Sequence, residues 1–167
     1  VVIKKGELIQ PKHIMAFTTL GIKDVLVKKQ PKIIFFGTGS EIADYKDTKV
    51  SSWKVRNSNN HYFTSFGKSL YFKIIDGGII KDNESDKLKQ AFNEALNSDT
   101  DIFVTSGAIS AGKFDFIPKL VKEFGFKTHF KGVAIKPGRP IMLSKFTQKE
   151  KLFFGLPGNP ISCAAGF

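Results

Sequence analysis

Lys32-Ile33-Ile34-Phe35-Phe36-Gly37-Thr38-Gly39-Ser40-Glu41 follows Pro31 and carries an uninterrupted apolar run straight into a glycine-bearing loop. So apolar a run suits a strand buried on both faces, the usual state of strands in a parallel sheet. The pattern returns twice. Ile102-Phe103-Val104 leads into Thr105-Ser106-Gly107-Ala108-Ile109-Ser110-Ala111-Gly112, and Leu152-Phe153-Phe154 leads into Gly155-Leu156-Pro157-Gly158-Asn159-Pro160. Helical stripes lie between these strands: Leu88, Ala91, Phe92, Ala95 and Leu96 after Asp82-Asn83, and Ile117, Leu120, Val121 and Phe124 before Gly125. Strand-to-helix units of this length predict an α/β fold, a three-layer α/β/α domain with a mostly parallel sheet.

The remaining segments are read from the same signals. Residues 1–30 form a lead-in: a short strand, a turn at Lys5-Gly6, a helix from Pro11 to Leu20 with Ile14, Phe17 and Leu20 on one face, and a strand from Asp24 to Val27. The domain proper is assigned to residues 31–167. Ile42 to Lys54 reads as a surface loop, and a helix after Asn57-Ser58-Asn59 is expected to stop at Gly67. Leu70 to Ile75 reads as a strand closed by a turn at Asp76-Gly77-Gly78, and Phe130 to Lys136 and Ile141 to Phe146 as two more strands. Asn159 and Pro160 suit the N-cap and first position of a helix that has little length before the sequence ends, so the chain is expected to be cut within a larger protein.

Composition narrows the function classes. The 167 residues are 41% hydrophobic and contain no run long enough to span a bilayer. No secretory or transit signal opens the sequence, so a cytoplasmic location is expected. The lone Cys163 reads as a small buried apolar residue. A net charge of +11 raises nucleic acid as a partner, but the lysines are scattered. Only two of 26 basic residues are arginines, Arg56 and Arg139, and both stand in loop-like segments as candidates for oxyanion recognition.

Loops that follow parallel strands emerge at one edge of the sheet, where α/β proteins bind ligands. Three such loops, bearing Thr38, Gly39, Ser40, Thr105, Ser106, Ser110 and Gly158, predict one site in which amides and hydroxyls hold an oxyanion. There is no Walker pattern and no Gly-x-Gly-x-x-Gly helix start, which argues against a nucleoside triphosphatase or a dinucleotide dehydrogenase. One cysteine with dispersed His13, His61 and His129 lacks zinc spacing. Glu41, Asp82 and Asp115 are the carboxylates near the loops that suit a hard cation.

Thr105 to Asp115, Lys136-Pro137-Gly138-Arg139-Pro140 and Gly155-Leu156-Pro157-Gly158-Asn159-Pro160-Ile161-Ser162, in that order, resemble the MoeA/gephyrin family of molybdopterin molybdotransferases. The resemblance implies a molybdopterin-binding domain that takes adenylylated molybdopterin, inserts molybdate and releases AMP with Mg²⁺ assisting. It also implies a homodimer whose paired subunit completes the cleft, and an adenylyltransferase as a possible partner supplying the pterin nucleotide. Mapped onto this chain, it implies Asp115, Lys136 and Arg139 as catalytic residues, and Asp115 with Glu41 at the metal. Pterin contacts would come from Thr38, Gly39, Ser40, Glu41, Asn59, Ser106, Gly107, Ser110, Gly112, Pro137, Gly138, Pro157, Gly158, Asn159 and Ser162. Two positions depart from the family pattern: Ser40 stands where an acid is common, and Ala108 where a second glycine is usual. The chain alone is expected to bind without turnover. A MogA-like adenylyltransferase and a non-catalytic pterin-binding scaffold are the alternatives.

Overall fold

The computed structural model describes residues 1–70, 72–107 and 116–167. Along the chain run α1 (Pro11–Thr19), β1 (Lys32–Thr38), β2 (Ile42–Ala43), β3 (Val55–Arg56), α2 (Asn59–Ser69), β4 (Lys73–Ile80), α3 (Ser85–Asn97), β5 (Ile102–Ser106), α4 (Phe116–Glu123), β6 (Lys127–Lys131), β7 (Met142–Phe146), β8 (Lys151–Leu156) and α5 (Pro160–Gly166). Six strands form one sheet in the order β4-β1-β5-β8-β7-β6. β4, β1, β5 and β8 are mutually parallel, and β7 runs against both of its neighbours. The mostly parallel α/β expectation holds.

Strand periodicity builds the three layers, because successive side chains leave opposite faces of a sheet. Ile33, Phe35, Val104 and Leu156 enter one core, where they meet Phe63 of α2 and Cys163 of α5. Phe36, Phe103 and Phe153 enter the other, where they meet Leu88, Ala91, Phe92 and Ala95 of α3 and Ile117, Leu120 and Val121 of α4. The α3 stripe is therefore core, as its spacing predicts. Burying a side chain such as Leu88 or Phe92 contributes about 1.5–3 kcal/mol.

Several expectations are corrected. Gly77 and Gly78 do not end a strand: β4 passes through them, and its register against β1 slips from Phe35↔Asp76 to Gly37↔Ile79. The extra residue reverses side-chain parity, so Ile74 joins one core and Ile80 the other. Gly67 lies inside α2 instead of closing it, and a β-carbon there would strike Ile74 Cγ1 at 2.6 Å. Close helix-to-sheet packing explains that glycine, and Leu70 is the C-cap of α2. β6 covers Lys127–Lys131, not Phe130 to Lys136, with all five residues exposed at the sheet edge. Ile42–Ala43 and Val55–Arg56 bracket the expected loop with a two-residue parallel ladder. In the lead-in the helix and the turn at Lys5-Gly6 form, but neither 1–4 nor 24–27 is a strand; Phe17 is buried, and Ile14 and Leu20 are exposed.

Two results follow for the scaffold. Asp101 accepts hydrogen bonds from Lys32 N (2.8 Å) and Lys29 Nζ (3.2 Å), pinning the start of β1. The Lys32 amide first, and then Lys29, hold its carboxyl below the ordinary aspartate range. A depressed folded-state pKa gives stability that is present above the unfolded value and lost as pH falls through the folded one. Acidification from about pH 5 to about pH 3 is therefore expected to lower the melting temperature, and less so in Asp101→Asn. Cys163 is buried and its thiol is pushed up to about 12 by burial. The native protein at about pH 8 is expected to leave a thiol reagent unconsumed until urea unfolds it.

Candidate functional site

Parallel β1, β5 and β8 deliver their following loops to the same edge, and the loops touch. Buried Thr38 donates through Oγ1 to the Ser106 carbonyl at 2.8 Å. Gly107 N donates to the Leu156 carbonyl at 2.9 Å. Asn59 Nδ2, at the start of α2, donates to the Gly158 carbonyl at 3.0 Å. A β-carbon on Gly158 would lie only 3.5 Å from Gly107 Cα, so the second and third loops are in van der Waals reach. The Lys136–Arg139 turn joins them through Gly138, whose β-carbon would come 3.1 Å from the Ser162 carbonyl in the first turn of α5.

Local chemistry explains each placement. Gly107 has φ +97°, and any β-carbon there would overlap the Thr38 carbonyl oxygen, so only glycine lets the first two loops meet. Asn159 caps α5, its side-chain oxygen accepting from Ser162 N at 3.2 Å, with Pro160 at the first helical position. That oxygen is spent on the helix. Asn59 likewise holds the closing loop. Pro157 precedes Gly158 at the foot of this loop, and Lys136 and Arg139 are exposed along a concave surface with Lys131, Val133 and Ile135. Two cations beside amide-rich loops suit a phosphate-bearing ligand.

Ser106 carries the most suggestive atom. Its hydroxyl is fully buried at the loop root and has no hydrogen-bond partner among the described residues. Such atoms are rare, and each calls for a partner. Gly39 (φ +145°) donates to the Ile80 carbonyl at 3.1 Å. The exposed Glu41 carboxylate folds back over it: a β-carbon on Gly39 would be 2.6 Å from Glu41 Oε1. Among the described residues no group of three or more His, Cys, Asp or Glu side chains assembles as a metal cage. Ser110, Gly112, Ala108 and Asp115 lie outside the described residues.

The chain from 35 to 167 matches the family model described as "Probable molybdopterin binding domain". It belongs to that family. A molybdopterin molybdenumtransferase of Staphylococcus aureus is 35% identical over the whole chain, and one of Haemophilus influenzae is 31% identical. The chain spans about 39% and 40% of their lengths, respectively. The crystal structure of a molybdopterin biosynthesis MoeA protein from Pyrococcus horikosii superposes with a TM-score of 0.78 at 29% identity, covering 97% of this chain and 39% of that one. No helix among the described residues is long and apolar enough to cross a membrane.

Arg56, Asn57, Asn60 and Asp82 have structural partners around the loops. Arg56 acts as a staple: its Nη1 donates to the carbonyls of Asp44 (3.4 Å), Tyr45 (3.0 Å) and Asp47 (2.8 Å) and closes the loop between β2 and β3. Asn60 is wholly buried and donates to Asp76 Oδ1 (2.6 Å) and the Gly78 carbonyl (3.0 Å), fixing the β4 bulge beneath the first loop. Buried Asn57 accepts from Asn60 N at 3.3 Å. The run of asparagines signalled a helix cap but not these partners. Asp82, noted in the sequence only as a nearby carboxylate, is bonded to Ser40.

Proposed function

We propose that the chain is the molybdopterin-binding portion of a molybdopterin molybdotransferase, acting in molybdenum cofactor biosynthesis on adenylylated molybdopterin and molybdate with release of AMP. The observation that supports this reading best is the meeting of the Thr38, Gly107 and Gly158 loops, with the Lys136–Arg139 turn seated on the start of α5. The names of the curated relatives supply the transferase activity. In this reading residues 31–167 are the pterin domain and residues 1–30 lead in from a neighbouring one. The protein works in the cytoplasm as a homodimer and takes its substrate from an adenylyltransferase.

Each group has a task set by its chemistry. The Ser106 hydroxyl and the loop amides hold the pterin phosphate, while Lys136 and Arg139 balance the charge of phosphate and molybdate. Pro137 and Pro157 keep the two turns rigid, and Gly138 takes the positive φ that lets its turn approach the start of α5. Mg²⁺ is held by few protein ligands when substrate phosphates complete its shell, and Glu41 with Asp115 suit that role. When bound, it polarises the phosphoanhydride as a Lewis acid.

The full-length protein that contains this chain, purified and given adenylylated molybdopterin, molybdate and Mg²⁺, is expected to release AMP. Release no faster than in a protein-free control would sink the reading. Lys136→Ala is expected to weaken pterin binding about tenfold, the loss of one charge-assisted contact worth about 1.5 kcal/mol. Titration of the variant against the parent measures it.

A further inference from the structure

Ser40 in the first loop is not free. Its N–H donates to Asp82 Oδ2 at 3.0 Å, and its Oγ accepts from the Asp82 N–H at 3.2 Å. This reciprocal pair closes a ring between two loops 42 residues apart in sequence, one after β1 and one after β4. Gly39 N adds a third bond across the same gap, to the Ile80 carbonyl. The β4 side of the clasp is itself fixed, because Glu84 accepts from Lys81 N at 2.8 Å and lies beside Lys87 at 3.4 Å. Both Ser40 and Asp82 are half-buried, which protects the pair from competing water.

The geometry points to Asp82 as a positioning residue for the oxyanion loop: by holding Ser40 from both sides it fixes the segment from Gly39 to Glu41 over the end of β4. The inference rests on the pterin-binding reading. At position 40 either a hydroxyl or a carboxylate can accept from the Asp82 amide, so the serine keeps the acceptor that an acid would supply. At position 82 the requirement is an acceptor aimed at Ser40 N, which glutamine-length or apolar side chains cannot supply in the same place. Gly39, with its wide backbone freedom, depends on this restraint more than a bulkier residue would.

Anaerobic molybdopterin binding by equilibrium dialysis, with melting temperatures in parallel, tests it. Asp82→Ala is expected to raise Kd tenfold or more, whereas Asp82→Asn, which keeps an oxygen for Ser40 N, stays within about threefold of the parent. Ser40→Ala added to Asp82→Ala also removes the bond from the residue-82 N–H, so the double variant is expected to raise Kd at least as much as Asp82→Ala alone. Glu84→Ala loosens the same turn without touching Ser40, so it lowers the melting temperature and leaves Kd unchanged. Equal Kd for Asp82→Ala and parent overturns the inference, as does a Glu84→Ala loss as large as that of Asp82→Ala. An Asp82→Asn loss as large as that of Asp82→Ala also overturns it, because charge would then be the active property. A parent protein that binds no molybdopterin overturns the pterin reading and this inference together.

Discussion

Gly107→Ala is expected to cost about 3 kcal/mol or more of folding stability and to abolish pterin binding. Two penalties add. The residue sits at φ +97°, a conformation that costs an L side chain about 1–3 kcal/mol. A methyl group would also overlap the Thr38 carbonyl oxygen and come 2.9 Å from Thr38 Oγ1. Overpacking against a fixed neighbour costs about 1–3 kcal/mol, and this neighbour is backbone at the end of a central strand. Relief requires the first and second loops to part, which breaks the Thr38-to-Ser106 bond and displaces the buried Ser106 hydroxyl. Gly21→Ala is the control: φ is +68° but nothing lies within 4 Å of the added carbon, so only the dihedral cost of about 1–2 kcal/mol applies. The melting temperature should fall about 2–4 °C per kcal/mol for a domain of this size. Equal melting temperatures for the two variants would show that the loops are not pressed together at Thr38.

Local sequence made the sheet centre and the loop positions legible because both arise from unambiguous chemistry. Continuous apolar runs at Ile33 to Phe36, Ile102 to Val104 and Leu152 to Phe154 can be satisfied only by burial on two faces, and each became a central strand. Asn159-Pro160 opened a helix because cap and first-turn preferences agree there. The failures share one physical cause. A glycine pair signals a turn or a bulge equally well, and only the β1 partner decides that Gly77-Gly78 continues β4. Gly67 signals a helix stop or a close contact, and only Ile74 decides. Asp24 to Val27 has strand composition but pairs with no strand of either described sheet. In the site, oxyanion chemistry could be read from residue types, whereas the Ser40–Asp82 ring, the Arg56 staple and the Asn60 anchor depend on partners distant in sequence. Long-range pairing is what a single sequence conceals.

Phe92→Ala is expected to remove about 3–5 kcal/mol, the usual cost of deleting a buried phenylalanine and leaving its cavity. The high end applies here because the neighbours are rings that cannot collapse inward. Phe92 is 1% exposed on α3, and its ring lies 4.3 Å from Phe103, 5.4 Å from Phe124, 5.4 Å from Phe153 and 6.1 Å from Phe126, centroid to centroid. Phe103 and Phe153 come from adjacent central strands, Phe124 and Phe126 from the end of α4 and the approach to β6. One side chain thus ties α3 to four elements or turns, and tilted aromatic pairs add about 0.5–1.5 kcal/mol beyond burial. A domain stable by about 5–15 kcal/mol loses a large share of that margin in one substitution. Phe103 and Phe153 project from the same strands that end in the Ser106 and Gly158 loops, but from the face opposite Cys163 and α5. Phe92→Ala should therefore shift the urea midpoint strongly and leave molybdopterin affinity nearly unchanged when measured well below that midpoint. Phe92→Leu, which refills most of the volume, should recover more than half of the lost stability. A loss under about 1 kcal/mol for Phe92→Ala would mean that the α3 layer is not seated on the sheet as described.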